Sequence, residues 1–166
     1  YWNGSVWCPY QYFLWKAMLD IGEGQFAFDI AHRGLNSWKQ EIEFSYNTFE
    51  MIQIETERGG WFHQFSGLST PISIWYNAYY KRGTLTTGYD TWIEKKEISE
   101  DADHAEIVYS TTGTHTGVLL IVMNSLYHYD VEIDDKKAEF IEREKGVIEI
   151  TLNRKEGLII IYRDEK

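Results

Sequence analysis

The chain has 166 residues, 43% of them hydrophobic and 25% charged, the make-up of a globular protein with one domain or two small ones. A formal net charge of −10 speaks against nucleic acid and anionic membrane surfaces as partners, and no apolar run approaches the roughly 18 residues of a membrane span. One cysteine, Cys8, excludes an internal disulfide and leaves the compartment open.

The opening residues Tyr1-Trp2-Asn3-Gly4-Ser5-Val6-Trp7-Cys8-Pro9 have neither an initiator Met nor a signal-peptide pattern. An aromatic, glycine-containing loop that runs straight into an apolar helix reads as the mouth of a cleft, with more chain before it. Pro9 suits the first turn of that helix, where its missing N–H costs nothing. Tyr10, Phe13, Leu14, Ala17, Met18 and Ile21 then recur at helical spacing, and Gly22 supplies a stop. After a short link, Phe26, Ile30, Ala31, Leu35 and Trp38 form a second helical stripe, so the spacing predicts two antiparallel neighbours.

From about Phe44 to Phe65 helical rhythm is lost. Phe49–Ile54 reads as a short strand or extended loop, with a turn at Arg58-Gly59-Gly60. A third helix is expected after Ser69 or Thr70, with Pro71 just inside it and Gly83 closing it. Six of the seven Trp and seven of the eight Phe lie before residue 80, which marks a boundary near Gly83 to Asp90. Residues 1–85 therefore form one predicted domain and 86–166 another. In the second, residues 105–109, 118–123, 127–133, 138–142, 147–152 and 158–162 read as strands. Turns are predicted at Asp134-Asp135 and Glu144-Lys145-Gly146. Short strands at this spacing predict an antiparallel β-sandwich.

The candidate chemistry gathers between Phe44 and Phe65: Glu50, Glu55, Glu57, Arg58, Trp61, His63 and Gln64. With Tyr1, Trp2 and Trp7 added, carboxylates stand beside aromatic planes, which is what a sugar site needs. Pyranose C–H faces stack on aromatic rings, while carboxylates and amides take hydroxyls; breaking a glycosidic bond then requires two flanking carboxyl groups. Trp2 and Trp7 fit binding or packing equally on position alone, whereas Trp15, Trp38 and Trp75 fall in helices and read as core. Glu50, set among Phe49, Met51 and Ile52, is unusual, because a buried carboxylate needs a partner or a raised pKa. Glu55 and Glu57 read as solvated loop charges and His63 as either a substrate contact or a structural residue. The His and Cys spacing fits no metal, no phosphate-binding loop is present, and no cofactor is called for.

Tyr1-Trp2-Asn3-Gly4-Ser5-Val6-Trp7 resembles the Tyr-Trp-Arg-Gly-Pro-x-Trp segment of glycosidases built on an (α/α)6 barrel, the trehalases and glycoside hydrolase family 63. In those proteins the segment lines the sugar pocket and precedes a helix pair, a loop with the catalytic base Glu, a Gly-rich stretch and a last helix entered through an aromatic motif. Glu50, Gly59-Gly60 and Phe65-Ser66-Gly67 fall at the corresponding places, over roughly the first 85 residues. Asn3 and Ser5 stand where Arg and Pro are common, and Met51-Ile52 replace the usual residues after the Glu.

The resemblance implies an α+β chain in two parts: helical hairpins from the end of an (α/α)6 barrel, followed by the β-sandwich. It implies inverting hydrolysis of an α-glycoside, with Glu50 as general base and Tyr1, Trp2, Gly4, Trp7, Trp61, His63 and Gln64 contacting sugar. Glu55 or Glu57 takes the base role if the loop aligns differently. The general acid lies upstream in these families, so this chain is expected to be a C-terminal piece, incomplete alone. Three barrel helices would leave apolar flanks, to be covered by the remainder of the enzyme or by a second copy. A non-catalytic carbohydrate-binding or structural module is the competing expectation.

Overall fold

The computed structural model describes residues 3–63 and 66–164, with the backbone alone at 62, 63, 66 and 67. Among the described residues three α-helices, α1 (Cys8–Asp20), α2 (Gly24–Ser45) and α3 (Thr70–Tyr80), are joined by twelve strands into an α+β chain. The strands are β1 (Ser5–Val6), β2 (Phe49–Gln53), β3 (Gly59–His63), β4 (Leu85–Thr86), β5 (Thr91–Ile98) and β6 (His104–Thr111). They continue with β7 (Gly117–Val122), β8 (Tyr129–Ile133), β9 (Lys136–Lys137), β10 (Ile141–Glu144), β11 (Val147–Leu152) and β12 (Glu156–Arg163). Two compact units divide the chain, each drawn from two stretches: Tyr1–Trp15 with Gln25–Tyr76, and Lys16–Gly24 with Asn77–Lys166.

The first unit holds the small antiparallel sheet β1-β2-β3. Helix α1 starts where the Trp7 carbonyl accepts from the Tyr10 and Gln11 N–H groups, with Pro9 in the first turn. Trp7, Trp15, Ala27, Ala31, Phe49, Met51, Ile72 and Trp75 are buried, so Trp15 and Trp75 pack as read, whereas Tyr10, Phe13, Leu14 and Phe26 of the helical stripes are exposed. Trp38 is half-buried and lies against the Phe49 ring, centroids 4.6 Å apart. Helix α2 runs on to Ser45, well past the Trp38 stripe, because Lys39 to Glu43 are good helix formers with a Lys39–Glu43 pair one turn apart.

Of the short strand or extended loop read at Phe49–Ile54, the strand is what forms, as β2 of the β2–β3 hairpin. One reading needs correction: Gly59-Gly60, read with Arg58 as the turn, opens β3 instead, the turn lying at residues 54–56. Strand β2 is buried on both faces, which removes the alternation by which a strand is recognised. The described residues hold three helices, as expected of a helical part, and these do not by themselves form a barrel.

The second unit contains two antiparallel sheets, β10-β11-β7-β4 and β5-β6-β12-β8-β9, an arrangement compatible with a β-sandwich. Ala105, Ile107, Tyr109, Val131, Ile159 and Ile161 from one sheet meet Leu119, Ile121, Ile148, Ile150 and Leu152 from the other in one core. Strand β7 is buried along its whole length. Its start is covered by residues 16–24, with the Leu19 and Asp20 carbonyls 3.3 Å from where a Cβ on Gly117 would lie. Gly22 ends that stretch in the left-handed region at φ 81°, and a Cβ there would also meet the Thr116 carbonyl at 2.7 Å. Lys16 donates to the Thr87 and Gly88 carbonyls, while the Asp20 carboxylate accepts from the Tyr89 and Asp90 N–H groups. Both predicted hairpin turns are present. The strand expected at 138–142 lies instead at 141–144, and β5 was not anticipated.

Candidate functional site

Strand β1 carries the end of the aromatic opening segment, and it pairs directly with β2 through Ser5↔Gln53 and Val6↔Ile52. On the other side β2 pairs with β3 through Ile52↔Gly59, Met51↔Gly60 and Phe49↔His63. The register slips by one between Met51 and Phe49, so the single residue Glu50 faces two, Trp61 and Phe62. This is a β-bulge, and the first bulged residue takes the conformation that normally selects Gly. Here Trp61 holds it, at φ 68° and 61% exposed. A bulky side chain in that region costs energy, and such strain gathers at functional sites. Glu50 opposite is 8% exposed, between Phe49 and Met51 in the strand.

The hairpin is tied to α2 by a residue that the sequence did not single out. Glu41 is 6% exposed, and its Oε2 accepts from Arg58 Nε at 2.8 Å and from the Gly59 N–H at 3.1 Å. The Arg58 guanidinium in turn lies 4.2 Å from the Phe44 ring centroid. The Arg58 hydrogen bond outweighs burial and holds the Glu41 carboxyl below the usual carboxylate range. The stabilisation from Glu41 is thus present above its unfolded pKa and is lost as pH falls through the lower folded value. One signal was available in the sequence: Glu41 sits three residues after Trp38 on the packed stripe of α2, where a carboxylate requires a cation.

Of the expected sugar contacts, Gly4 is exposed with open space around its Cα, and Trp61 presents an exposed ring. Trp7 is 4% exposed and packs at the head of α1. His63 is placed by its backbone at the Phe49 rung, while Tyr1, Trp2 and Gln64 lie outside the described residues. Glu55 and Glu57 are exposed. A cleft of about 430 Å³ in the same unit is lined by Val6, Gln11, Asp29, Arg33, Ile52 and Glu57 among others, with Glu50 outside it. Burial pushes the Cys8 thiol up to about 11, so it is a packed side chain without nucleophilic character. Among the described residues no cluster of His, Cys, Asp or Glu is suited to a metal, and no helix is long and apolar enough to cross a membrane.

The pairing of β1 with β2 and the bulge at Trp61 thus bring the opening segment, the buried carboxylate and an exposed indole onto one three-stranded sheet. No family model matches the chain, and no curated protein matches it at a significant level.

Proposed function

We propose that the chain is the C-terminal portion of a glycoside hydrolase acting on α-glycosides with inversion, of the (α/α)6-barrel kind, with Glu50 as general base. The observation that carries this reading is the bulge: a buried carboxylate on the middle strand of a sheet, opposite an exposed Trp held at φ 68°. Strain of this kind is retained where it presents a side chain to a ligand. An exposed indole beside a carboxylate is the pairing that a pyranose ring requires. In this mechanism Glu50 takes a proton from water, which attacks the anomeric carbon. A separate acid, about 6.5–9.5 Å away and outside this chain, protonates the leaving oxygen.

Tyr1, Trp2, Gly4, Trp7, Trp61, His63 and Gln64 are the proposed sugar contacts, with Trp61 the best supported because its ring is exposed. The burial of Trp7 favours a role for it in shaping the segment from behind. Tyr10, Phe13 and Leu14 on α1 are exposed at helical spacing, which supports a covering partner, either the remainder of the enzyme or a second copy.

The test is hydrolysis of α-linked glucose and mannose disaccharides by the full-length protein. Glu50→Gln is expected to lower turnover by about a thousandfold or more with sugar affinity kept, since the amide retains shape and loses basicity. Glu55→Gln and Glu57→Gln are expected to stay within about threefold of wild type. Activity that survives in Glu50→Gln and vanishes in one of the other two would move the base along the loop.

A non-catalytic carbohydrate-binding module is the second reading, favoured by Trp92, 62% exposed on β5. It predicts sugar binding by the full-length protein that is lost in Trp92→Ala, with no hydrolysis of any substrate.

A further inference from the structure

We propose that Glu41 is a positioning residue, a buried anion on α2 that locks the β2–β3 hairpin in its bulged register and so fixes Trp61 opposite Glu50. Strain at Trp61 gives β3 a reason to relax: sliding by one residue would remove the bulge and release the left-handed backbone, at the cost of turning every β3 side chain to the other face. Something must hold the strand against that slide. Glu41 does so at Gly59, the first residue of β3, two positions before the strained one, through charge-assisted hydrogen bonds to the Gly59 N–H and to Arg58 Nε.

The close approach is built into the residue types. A Cβ on Gly59 would lie 2.5 Å from the Phe49 ring and 2.9 Å from the Glu41 side chain, so Gly alone lets the strand press against both. Arg58 is kept in place by the Phe44 ring, three residues after Glu41 on the same helix. Helix, cation and strand thus form one clamp. Glu41 bonds at Arg58 and Gly59, and from there its hold is carried along the strand to Trp61. The role in turnover rests on the glycosidase reading; the hold on the bulge does not.

The experiment compares wild type, Glu41→Gln, Arg58→Gln and the double variant in the full-length protein. Amide hydrogen exchange at Met51, Gly59, Gly60 and Trp61 is expected to quicken tenfold or more in Glu41→Gln. Leu119, Leu120 and Ile121 of β7 should keep their protection, which shows that the variant is folded. The double variant is expected to exchange no more than about twice as fast as Glu41→Gln, because both changes break one clamp. Unaltered exchange in Glu41→Gln would overturn the proposal. In hydrolysis of the α-linked disaccharides, kcat is expected to fall about tenfold with KM within threefold, the split of a misplaced catalytic group. Quickened exchange with unchanged kcat would overturn the positioning role. If Glu50→Gln itself leaves turnover intact, the base assignment fails separately, and the exchange result alone decides whether Glu41 holds the bulge.

Discussion

Trp61 is the residue at which stability and function part company. Its left-handed backbone costs about 1–2 kcal/mol relative to a Gly at the same place, partly offset by the roughly 0.5–1 kcal/mol of extra freedom that Gly gives the unfolded chain. Removing a packed Trp ordinarily costs about 3–5 kcal/mol. With its ring 61% exposed, Trp61→Gly is instead expected to change the unfolding free energy by less than about 1 kcal/mol, measured by denaturant titration. Binding of the α-linked disaccharides should weaken tenfold or more in the same variant. A large destabilisation would mean that the ring serves the fold, which would remove the strongest support for the sugar site. Glu50 was legible as an oddity because a carboxylate sits in an apolar run. Glu41 was legible only in part: its place on the packed stripe of α2 was a signal, but nothing in the sequence says that Arg58, seventeen residues on, reaches it.

Among the elements, helices α1 and α3 were legible because Pro and Gly punctuate them and their apolar residues keep a 3.6 period. Strands β7, β11 and β12 were legible from β-branched runs. Strand β5 was not: as an edge strand it buries Thr91 and turns Trp92, Glu94, Lys95, Lys96 and Glu97 outward, and a register shift between Ile93 and Lys95 breaks the alternation. Charge along an open edge also guards it against pairing with other chains. A different device serves the edge pair β10–β11. Arg143 grips the Glu149 carboxylate with Nε at 2.6 Å and Nη2 at 2.7 Å, and both side chains are almost wholly buried. Gly24 lies so close that a Cβ would fall 2.2 Å from that carboxylate. Arg143→Ala would leave the buried Glu149 side chain without its guanidinium partner, at a cost of about 3–5 kcal/mol. Thermal unfolding should register this as a large loss of Tm. Gly24→Ala should lower Tm in the same direction by displacing the pair.

At the scale of the molecule, two properties bear on how the protein exists in solution. Phe13 and Tyr10, each more than half exposed, lie on α1 beside Leu14, while Phe44 and Tyr46 are exposed at the far end of α2. Apolar surface of that kind is rarely left to water. Light scattering is expected to give a mass well above the 19.6 kDa of this chain, through a second copy or a partner chain. Tyr10→Glu with Phe13→Glu should return it to the monomer, and a monodisperse wild-type monomer would count against a covering partner.

The second property is the way the two units share the chain. Residues 16–24 belong with the β-strands although the first unit's residues flank them on both sides, so the polypeptide passes between units three times. A gene fragment that began at Asn77 would encode β4 to β12 and still lack the Asp20 carboxylate that satisfies the Tyr89 and Asp90 N–H groups. It would also lack the Leu19 and Asp20 backbone that covers the start of β7. Recombination could not lift the β unit out whole and graft it elsewhere. Residues 16–24 must therefore travel with the strands, and a fragment from Asn77 onward is expected to unfold more readily than the whole chain.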